Sequence, residues 1–331
     1  MTHSELIYYL GGGDDEALFA MSSKIKANGV GTKVHLRGLI ELSNICQKEC
    51  YYCGIRHSNK DVKRYQMAYD DIIAAADFAY SNNFGSIAIQ SGEQSSIQFT
   101  EFIEKVVKDI KTRHKHPLGI TLSLGEQSTE TYQKWRSAGA HRYLLRIETS
   151  NQELYYKLKP NNDNHKFLKR LGCLTSLREC GYQVGSGVMI GLPGQTISDL
   201  ANDLLFLKEL DVDMCGMGPY IKHSDAPLGD SETPINERIT LTLRMIALLR
   251  IMMPKINIVS STALQTLDNN GYKKGLDAGA NILMPNVTPE KYCANYQLYD
   301  NKQYVDIINS DFDVEWNSWG DSLHYTPTNT L

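Results

Sequence analysis

Three of the seven cysteines lie within eight residues of one another, at Cys46, Cys50 and Cys53. A cytosolic protein rarely keeps structural disulfides, so a cysteine cluster of this kind favours metal binding or redox chemistry. A cubane iron–sulfur cluster takes one thiolate on each iron. Three thiolates, with three and two residues between them, can therefore hold a [4Fe–4S] cluster and leave its fourth iron without a protein ligand. That open iron can chelate a small molecule, which a closed site cannot do.

Two other interpretations of the cysteine cluster stay open, a structural zinc site and coincidence. Zinc sites usually combine two C-x-x-C pairs or add histidine ligands, and here only His57 lies nearby. The other four cysteines share no short spacing, which predicts one cluster and not two. Free cysteine behaves as a small buried hydrophobic residue, so we interpret these four as core thiols: Cys173, Cys180, Cys215 and Cys293.

The composition sets limits on the class of protein. The chain has 331 residues, of which 42% are hydrophobic and 22% are charged, the balance of an ordinary globular protein. Its net charge of −4 gives no overall basic field for nucleic acid. The sequence shows neither an apolar run long enough to span a membrane nor a signal-peptide pattern. We therefore expect a soluble, cytoplasmic protein without nucleic-acid or membrane partners.

Short apolar or β-branched runs alternate with amphipathic segments along most of the chain. The runs predict eight strands, at 34–41, 86–90, 119–124, 142–147, 184–190, 213–218, 256–260 and 280–284. The amphipathic segments predict helices at 69–81, 98–113, 128–137, 165–179, 196–210, 236–252 and 265–277. Strands that alternate with helices form parallel βαβ units, so we predict an α/β protein with a complete (βα)8 TIM-type barrel. A doubly wound open sheet is the competing architecture.

The chain shows no internal repeat, low-complexity tract or flexible linker, so we predict one barrel domain with short end segments. Residues 1–30 are expected to form a helical lead-in, 31–300 the barrel, and 301–331 a C-terminal extension that packs on the barrel. The cysteine cluster directly follows the first predicted strand. It is therefore expected on a loop at the C-terminal mouth of the barrel, where barrel enzymes carry their chemistry.

The arrangement C-x-x-x-C-x-x-C, with an aromatic residue (Tyr52) before the last cysteine, resembles the signature of radical S-adenosylmethionine (radical SAM) enzymes. In that family the open iron of a [4Fe–4S] cluster binds the amino and carboxylate groups of SAM. An electron from a donor such as flavodoxin or ferredoxin then breaks a C–S bond of SAM and gives a 5′-deoxyadenosyl radical. The resemblance thus implies two cofactors, SAM and a cluster on Cys46, Cys50 and Cys53.

The resemblance extends to residues at other predicted strand ends. Ser91, Gly92 and Glu93 follow the second strand and resemble the family's G-G-E motif, which holds the SAM amino group. Glu148 ends the fourth strand and matches a carboxylate that accepts hydrogen bonds from the SAM ribose. Arg170 matches an arginine that pairs with the SAM carboxylate, and a guanidinium can form a bidentate pair there. Without the resemblance, a solvated helix charge is an equal interpretation of Arg170.

A glycine-bearing turn after the fifth strand resembles the family's G-x-I-x-G pattern in part. Gly187 and Gly191 match this pattern, whereas Met189 stands in place of the isoleucine. Glycine permits a close approach of the backbone to a flat ligand, and the resemblance implies a backbone contact from Ile190 to the adenine of SAM. An ordinary βα loop is the simpler interpretation of the same residues.

Four longer strings narrow the resemblance to the HydE family of [FeFe]-hydrogenase maturases, namely 121–126, 142–146, 191–196 and 279–286. That family shares a branch with biotin synthase and methylornithine synthase. Its radical is thought to act inside the barrel on a cysteine-bound iron carbonyl–cyanide precursor, which implies a small organometallic substrate and other hydrogenase maturases as partners. Seven residues match positions that line the cavity in this family: Thr121, Ser123, Arg146, Ser261, Thr262, Tyr296 and Tyr299. Of these, we assign Arg146 to catalysis.

Two features depart from the HydE pattern. Related sequences often have R-H-E where this chain has Arg146-Ile147-Glu148, so an apolar group replaces a potential proton donor or metal ligand. Some relatives carry a second cluster on C-terminal cysteines, and this chain has no cysteine after Cys293. The alternative functions are therefore a mutase of the methylornithine type, a sulfur insertion of the biotin type and a metal-binding barrel without catalysis.

We expect each of the three clustered cysteines to be necessary for one oxygen-sensitive [4Fe–4S] cluster. Replacement of Cys46, Cys50 or Cys53 by Ala removes one of three thiolate anchors, so the cluster should be lost or crippled. Iron content and visible absorption after anaerobic reconstitution measure the loading. The intact chain should bind about four irons. Full loading in all three variants, or about eight irons in the intact chain, would contradict the prediction.

Overall fold

Eight parallel strands close into a barrel in the computed structural model, which describes residues 1–115 and 117–304. In chain order the strands of this described part are β1 (His35–Ser43), β2 (Ser86–Ser91), β3 (Gly119–Ser123), β4 (Arg142–Leu144), β5 (Gln183–Ser186), β6 (Met189–Ile190), β7 (Met214–Gly216), β8 (Gly218–Pro219), β9 (Asn257–Val259) and β10 (Ile282–Leu283). Around the barrel the order is β1, β2, β3, β4, β5, β7, β9 and β10, and β10 pairs with β1. The predicted complete (βα)8 barrel is confirmed.

Helices connect the strands and surround the barrel. In the described part they are α1 (His3–Leu10), α2 (Asp15–Gly29), α3 (Tyr69–Ser81), α4 (Ile97–Arg113), α5 (Thr129–Ser137), α6 (Gln152–Leu158), α7 (Phe167–Glu179), α8 (Ile197–Glu209), α9 (Ile235–Met252), α10 (Thr262–Leu267), α11 (Gly271–Ala278) and α12 (Glu290–Cys293). The start of α8 is the clearest in the sequence. Thr196 accepts a hydrogen bond from the Asp199 amide, and the Asp199 carboxylate accepts one from the Thr196 amide.

The predicted strand 184–190 is divided in the structure into β5 and β6. Gly187 lies at the division, and a Cβ atom there would lie 1.9 Å from the carbonyl oxygen of Gly216. The two backbones approach too closely for a side chain, so glycine is required at this position. The predicted strand 213–218 is divided in the same way, into β7 and β8. The two short outer strands, β6 and β8, then pair with each other as a separate sheet.

The structure also differs from the helical predictions at two places. The segment 265–277 is not one helix, because α10 ends within it at Leu267 and α11 begins within it at Gly271. The Gln265 side chain stabilises the turn between them, since it donates to the Asn269 carbonyl and accepts from the Tyr272 amide, both at 2.8 Å. Helix α6 was not predicted at all. It has seven residues, too few for a helical period to stand out in the sequence, and the Asn151 side chain caps it.

The apolar core lies between the barrel and the helices. One large cluster includes Ile87 and Ile120 of the barrel and Trp135 of α5, all fully buried. A second cluster includes Met245 of α9 and Ile258 of β9. Full burial of one such side chain contributes about 1.5–3 kcal/mol. This packed layer fixes the strands, and with them the rim where the strands end.

The chain before the barrel forms two helices, and both contact the outer helical layer. Helix α1 packs against α8 and α9, and helix α2 packs against α9 and α11. Arg244 and Asp15 form an ion pair at 2.7 Å, and the Ser22 hydroxyl donates to the Ala278 carbonyl at 2.7 Å. The helical lead-in over 1–30 is therefore observed as helix, whereas its standing as a separate unit stays a prediction.

The predicted C-terminal extension, 301–331, falls almost wholly outside the residues that the structure describes, because only 301–304 belong to them. Its packing on the barrel stays a prediction. Within residues 1–115 and 117–304, no helix is both long enough and apolar enough to cross a membrane.

Asp203 of α8 is buried and holds the segment that follows β4. Its Oδ1 accepts hydrogen bonds from the Ser150 amide at 2.5 Å and the Ser150 hydroxyl at 2.6 Å. Its Oδ2 has no hydrogen-bond partner within the described part of the chain. Burial raises the pKa of Asp203 to about 7, because the lost hydration outweighs the bonds from Ser150.

We expect Asp203→Asn to change the stability of the fold in a pH-dependent way. Because the folded-state pKa lies above the unfolded value of about 4, ionisation of Asp203 favours unfolding. This cost is absent below pH of about 4, grows up to about 7, and amounts to about 1.4 kcal/mol per pKa unit of the shift. Asparagine keeps an acceptor and never ionises, so the variant should gain stability relative to the parent chain as the pH rises through this window.

Urea unfolding of the metal-free chain at a pH of about 5 and about 8 measures this difference. Asp70→Asn, which removes an exposed carboxylate, is the control variant. An equal stability difference between Asp203→Asn and the parent chain at both pH values would contradict the prediction.

Candidate active site

The C-terminal ends of the barrel strands surround a cavity of about 250 Å³. One wall is the cysteine loop, residues 44–68 between β1 and α3, and all three clustered cysteines face the cavity. Most other residues that the sequence assigned to cofactor or substrate line it too, namely Tyr52, Ser91, Gly92, Glu93, Ser123, Arg146, Glu148, Arg170, Ser261, Tyr296 and Tyr299. A concave site with a few convergent polar groups is the usual form of a small-molecule site.

Side chains hold the backbone of the cysteine loop in place. The Arg64 guanidinium donates to four carbonyl oxygens, those of Asn44 at 2.7 Å, Ile55 at 2.8 Å, Arg56 at 2.6 Å and Asn59 at 3.0 Å. One side chain thus joins both ends of the segment that carries the cysteines. Sequence reasoning missed this arginine, because nothing in the local pattern separates it from an arginine on the surface.

The turn after β2 contacts the cysteine loop directly. A Cβ atom at Gly92 would lie 2.3 Å from the Ile45 carbonyl oxygen and 2.8 Å from the Cys46 Cβ, so only glycine fits. This approach lets the Glu93 amide donate to the Cys46 sulfur at 3.3 Å, and the Lys48 amide donates to the same sulfur at 3.4 Å. Hydrogen bonds from backbone amides favour the charged form of a group. The segment Ser91-Gly92-Glu93, which the sequence assigned to the SAM site, therefore favours the thiolate form of Cys46.

The three thiols need a counter-charge to ionise. Burial raises the pKa of Cys46 to about 11, with a further contribution from Cys50, and burial also raises the pKa values of Cys50 and Cys53. A bound metal supplies positive charge that favours thiolates. Within the described residues, no three His, Cys, Asp or Glu side chains converge on one ion. A single zinc ion needs such convergence, whereas a cubane takes its thiolates on separate irons.

Arg170 of α7 is 9% exposed and reaches the cavity wall. Its Nη1 lies 3.2 Å from Glu126 Oε1 and 3.8 Å from Glu93 Oε2. Neither Nη1 nor Nε makes a hydrogen bond with the rest of the described chain. A buried guanidinium that lines a cavity is suited to bind a carboxylate. The alternative interpretation of Arg170 as a solvated helix charge is therefore wrong.

Glu148 follows β4 in a left-handed backbone conformation, with φ of 73°. Its Oε1 accepts a hydrogen bond from the Tyr52 hydroxyl at 3.3 Å, and its Oε2 lies 3.1 Å from Arg146 Nη2. Burial raises the pKa of Tyr52 well above its usual value, so the phenol stays a donor. Backbone strain of this kind is concentrated at functional sites. Here it accompanies a carboxylate in the cavity wall.

Three predicted residues do not line the main cavity. Thr121 lines a smaller cavity of about 30 Å³, which also contacts Ser123, and its hydroxyl accepts from Arg142 Nε at 2.9 Å. Ile190 and Thr262 line neither of these two cavities. Their contacts with cofactor or substrate stay predictions.

Sequence reasoning missed three buried charged residues near the cavity. Lys48 and Glu126 form an ion pair at 2.9 Å. The Lys159 ammonium lies 4.3 Å from the centre of the Tyr155 ring, and burial lowers the pKa of Lys159 to about 8. The position of Glu126 just beyond β3 is a signal that could have been used, because barrel enzymes place functional residues at strand ends.

Ile147, which departs from the HydE pattern, belongs to the apolar core. It is fully buried, in the same cluster as Tyr155, Phe167 and Val188. It lines neither of the two cavities. The apolar group at this position therefore does not alter the cavity wall.

Comparisons with known proteins agree with this geometry. The family model of the radical SAM superfamily matches residues 40–207. The chain is 47% identical over 290 residues to the [FeFe] hydrogenase maturase subunit HydE of Thermotoga maritima, covering 88% of this chain and 80% of that protein. It is 28% identical over 290 residues to 3-methylornithine synthase of Methanosarcina acetivorans, covering 85% and 78% respectively. A crystal structure of methylornithine synthase (PylB) shares the fold, with a TM-score of 0.75 at 23% identity over 96% of this chain and 89% of that one.

The barrel, the cysteine loop and the matched segment define an enzyme of the radical SAM class. The chain belongs to the radical SAM superfamily and, within it, to the HydE family. Membership implies a [4Fe–4S] cluster and SAM as cofactors. The alternative of a metal-binding barrel without catalysis is therefore rejected.

We expect Glu148 and Arg170 to hold SAM rather than to maintain the fold. Glu148→Ala and Arg170→Ala each leave one charge-assisted contact with SAM unmade, a loss of about 2–5 kcal/mol in a binding site. SAM affinity should fall in both variants, while iron content after reconstitution stays near that of the parent chain. Equilibrium binding of SAM measures the change. Lys166→Ala, at an exposed lysine just before α7, is the control, and parental SAM affinity in both test variants would contradict the assignment.

Proposed function

We propose that this enzyme is an [FeFe]-hydrogenase maturase of the HydE type, which reductively cleaves SAM to a 5′-deoxyadenosyl radical. The observation that supports it most is the 47% identity to the Thermotoga maritima HydE protein over 88% of the chain. The cavity adds support, because Arg146, Tyr296 and Tyr299 line it, as the resemblance implies.

We infer that Cys46, Cys50 and Cys53 ligate the cluster. The residues fit it, because three thiols line one cavity and the Cys46 sulfur already accepts two backbone hydrogen bonds. When bound, the cluster supplies an iron that chelates SAM and the electron that cleaves it. All three thiols line the cavity, so a cluster held by them would be accessible to SAM from the cavity.

Side chains around the three thiols are suited to orient SAM. The Arg170 guanidinium, which lines the cavity, matches the SAM carboxylate. The Glu148 carboxylate can accept hydrogen bonds from the ribose hydroxyls, and Tyr52 holds it in place. The segment 91–93 lies beside Cys46, in position for the amino group. We therefore propose that SAM binds between the cysteine loop and the ends of β2 and β4.

The substrate is proposed to be a small organometallic compound or an amino-acid-derived thiolate inside the barrel. Arg146 offers a positive charge for an anionic group, and Ser123 offers a hydroxyl that faces the same cavity. Tyr296 is 1% exposed and lines the cavity with Tyr299. Side chains that exclude water protect a primary carbon radical from side reactions. Thr121 and Ser123 extend the polar wall into the smaller cavity.

The partners follow from the same proposal. An electron donor such as flavodoxin or ferredoxin is needed for reductive cleavage, and other hydrogenase maturases act in the same assembly. All seven cysteines are free thiols, which suits the reducing cytoplasm. We therefore propose that the enzyme works in the cytoplasm.

Expression of this chain in a hydrogenase-maturation strain that lacks HydE should restore hydrogenase activity. Ile147 lies in the core, so the missing imidazole should not prevent complementation. Cys50→Ala, expressed to the same level, should fail because one thiolate anchor is gone.

Lys169→Ala serves as the matched surface control, since this side chain is 53% exposed, and it should complement like the parent chain. Failure of the parent chain, with SAM cleavage intact in vitro, would contradict the maturase proposal. The enzyme would then be a radical SAM enzyme with another substrate, and the methylornithine type would be tested next.

A further inference from the structure

Four buried side chains form a closed ring of alternating charge beside the cavity. Lys48 Nζ lies 3.1 Å from Glu93 Oε1 and 2.9 Å from Glu126 Oε2. Arg170 Nη1 lies 3.8 Å from Glu93 Oε2 and 3.2 Å from Glu126 Oε1. Each carboxylate therefore bridges both cations, with one oxygen toward each. We call Lys48, Glu93, Glu126 and Arg170 the charge ring.

The charge ring joins four separate parts of the chain. Lys48 lies in the cysteine loop, between the first two clustered cysteines, and also donates to the Asn164 carbonyl. Glu93 follows β2, Glu126 follows β3, and Arg170 belongs to α7. The Glu126 amide donates to Glu93 Oε2 at 2.9 Å, so the two carboxylate segments are also bonded directly. The ring is thus the connection between the cysteine loop and the arginine at the cavity wall.

The ring is shielded from solvent, so its charges depend on one another. The exposed side-chain fractions are 9% for Lys48, 6% for Glu93, 3% for Glu126 and 10% for Arg170. Burial acts to lower the pKa of Lys48, but Glu93 and Glu126 outweigh it and the pKa is raised. Burial acts to raise the pKa of Glu126, but Arg170 and Lys48 outweigh it and the pKa is lowered. Loss of one cation would leave two buried carboxylates with a single cation in the ring.

We propose that Lys48 is a positioning residue, which acts through Glu93 and Glu126 to hold Arg170 where it binds the carboxylate of SAM. This inference rests on the SAM site described under Proposed function. With Lys48 present, each carboxylate has one oxygen beside the ammonium and only the other beside Nη1 of Arg170, so the guanidinium is not drawn wholly into the ring and still lines the cavity. Without Lys48, both carboxylates turn to Arg170, and the guanidinium is withdrawn from SAM. The conformation of the cysteine loop, which carries Lys48, is thereby coupled to the binding of SAM.

Lys48→Met tests this role, because it keeps an unbranched side chain and removes the charge. After anaerobic reconstitution, iron content reports whether the cysteine loop still holds the cluster. Equilibrium binding of SAM reports whether Arg170 is still in position to bind the SAM carboxylate. We expect iron content near that of the parent chain and a SAM affinity lower by on the order of 10- to 100-fold. The KM for SAM should rise by a similar factor while kcat changes much less, because binding and not the chemical step is affected.

Two further variants separate positioning from other effects. Lys169→Met removes a lysine charge near the same carboxylate, at 4.0 Å from Glu126 Oε2, but at an exposed side chain. It should leave SAM affinity unchanged. Glu126→Gln combined with Lys48→Met removes one unpaired carboxylate, so the double variant should recover part of the SAM affinity lost in Lys48→Met. Such non-additivity is the mark of residues that act through one another.

Parental SAM affinity in Lys48→Met with full iron loading would overturn the proposal. Loss of iron with unchanged SAM affinity per loaded cluster would also overturn it, since Lys48 would then be a structural anchor of the loop. If Lys48→Met does not fold, Lys48→Gln decides between the same outcomes with a smaller change in polarity. All of these measurements use SAM without substrate, so a failure of complementation would not affect them.

Discussion

The chain between β1 and α3 carries the three cysteines without forming a helix or strand, so its backbone polar groups need partners from elsewhere. Arg64 bonds four of its carbonyl oxygens. The Asn44 amide group donates to the Lys63 and Asn295 carbonyls, which joins the loop to the chain beyond the barrel. Gly92 lets the neighbouring turn come close enough to bond Cys46. The positions of the thiols depend on these bonds, and the chemistry of the site depends on the thiols.

The site also depends on the closed parallel barrel, because all of its strands end at the same rim. Three successive barrel strands, β2, β3 and β4, are each followed by a buried glutamate, namely Glu93, Glu126 and Glu148. Buried carboxylates at neighbouring strand ends repel one another unless cations lie between them. The cations come from other segments: Lys48 and Arg170 pair with the first two glutamates, and Arg146 pairs with the third. Each of the three glutamates at the rim is therefore paired with at least one cationic side chain.

The sequence was sufficient to predict the barrel and most of the cavity wall, for identifiable reasons. Strand and helix periods indicated the eight βα units, and cysteine spacing indicated the metal chemistry. The resemblance to radical SAM enzymes and to the HydE family indicated the other residues of the cavity wall. What the sequence did not reveal depends on contacts between distant residues. The predicted strand 184–190 is divided at Gly187 because the backbone there comes close to Gly216. Thr121 lines the smaller cavity, where its hydroxyl bonds with Arg142. Lys48 gave no signal either, because a lysine in a loop is ordinarily solvated.

The buried charges at the rim are not explained by stability alone. Burial of an ion pair costs hydration that the mutual attraction repays only in part, and apolar replacements of similar volume are often at least as stable. The apolar clusters around the barrel already provide the folding energy, with residues such as Trp135 and Met245 fully buried. A ring of four charges next to three thiols is therefore best understood through what it orients. It keeps Arg170 charged and buried at the cavity wall, a combination that an apolar wall of the same volume would not provide.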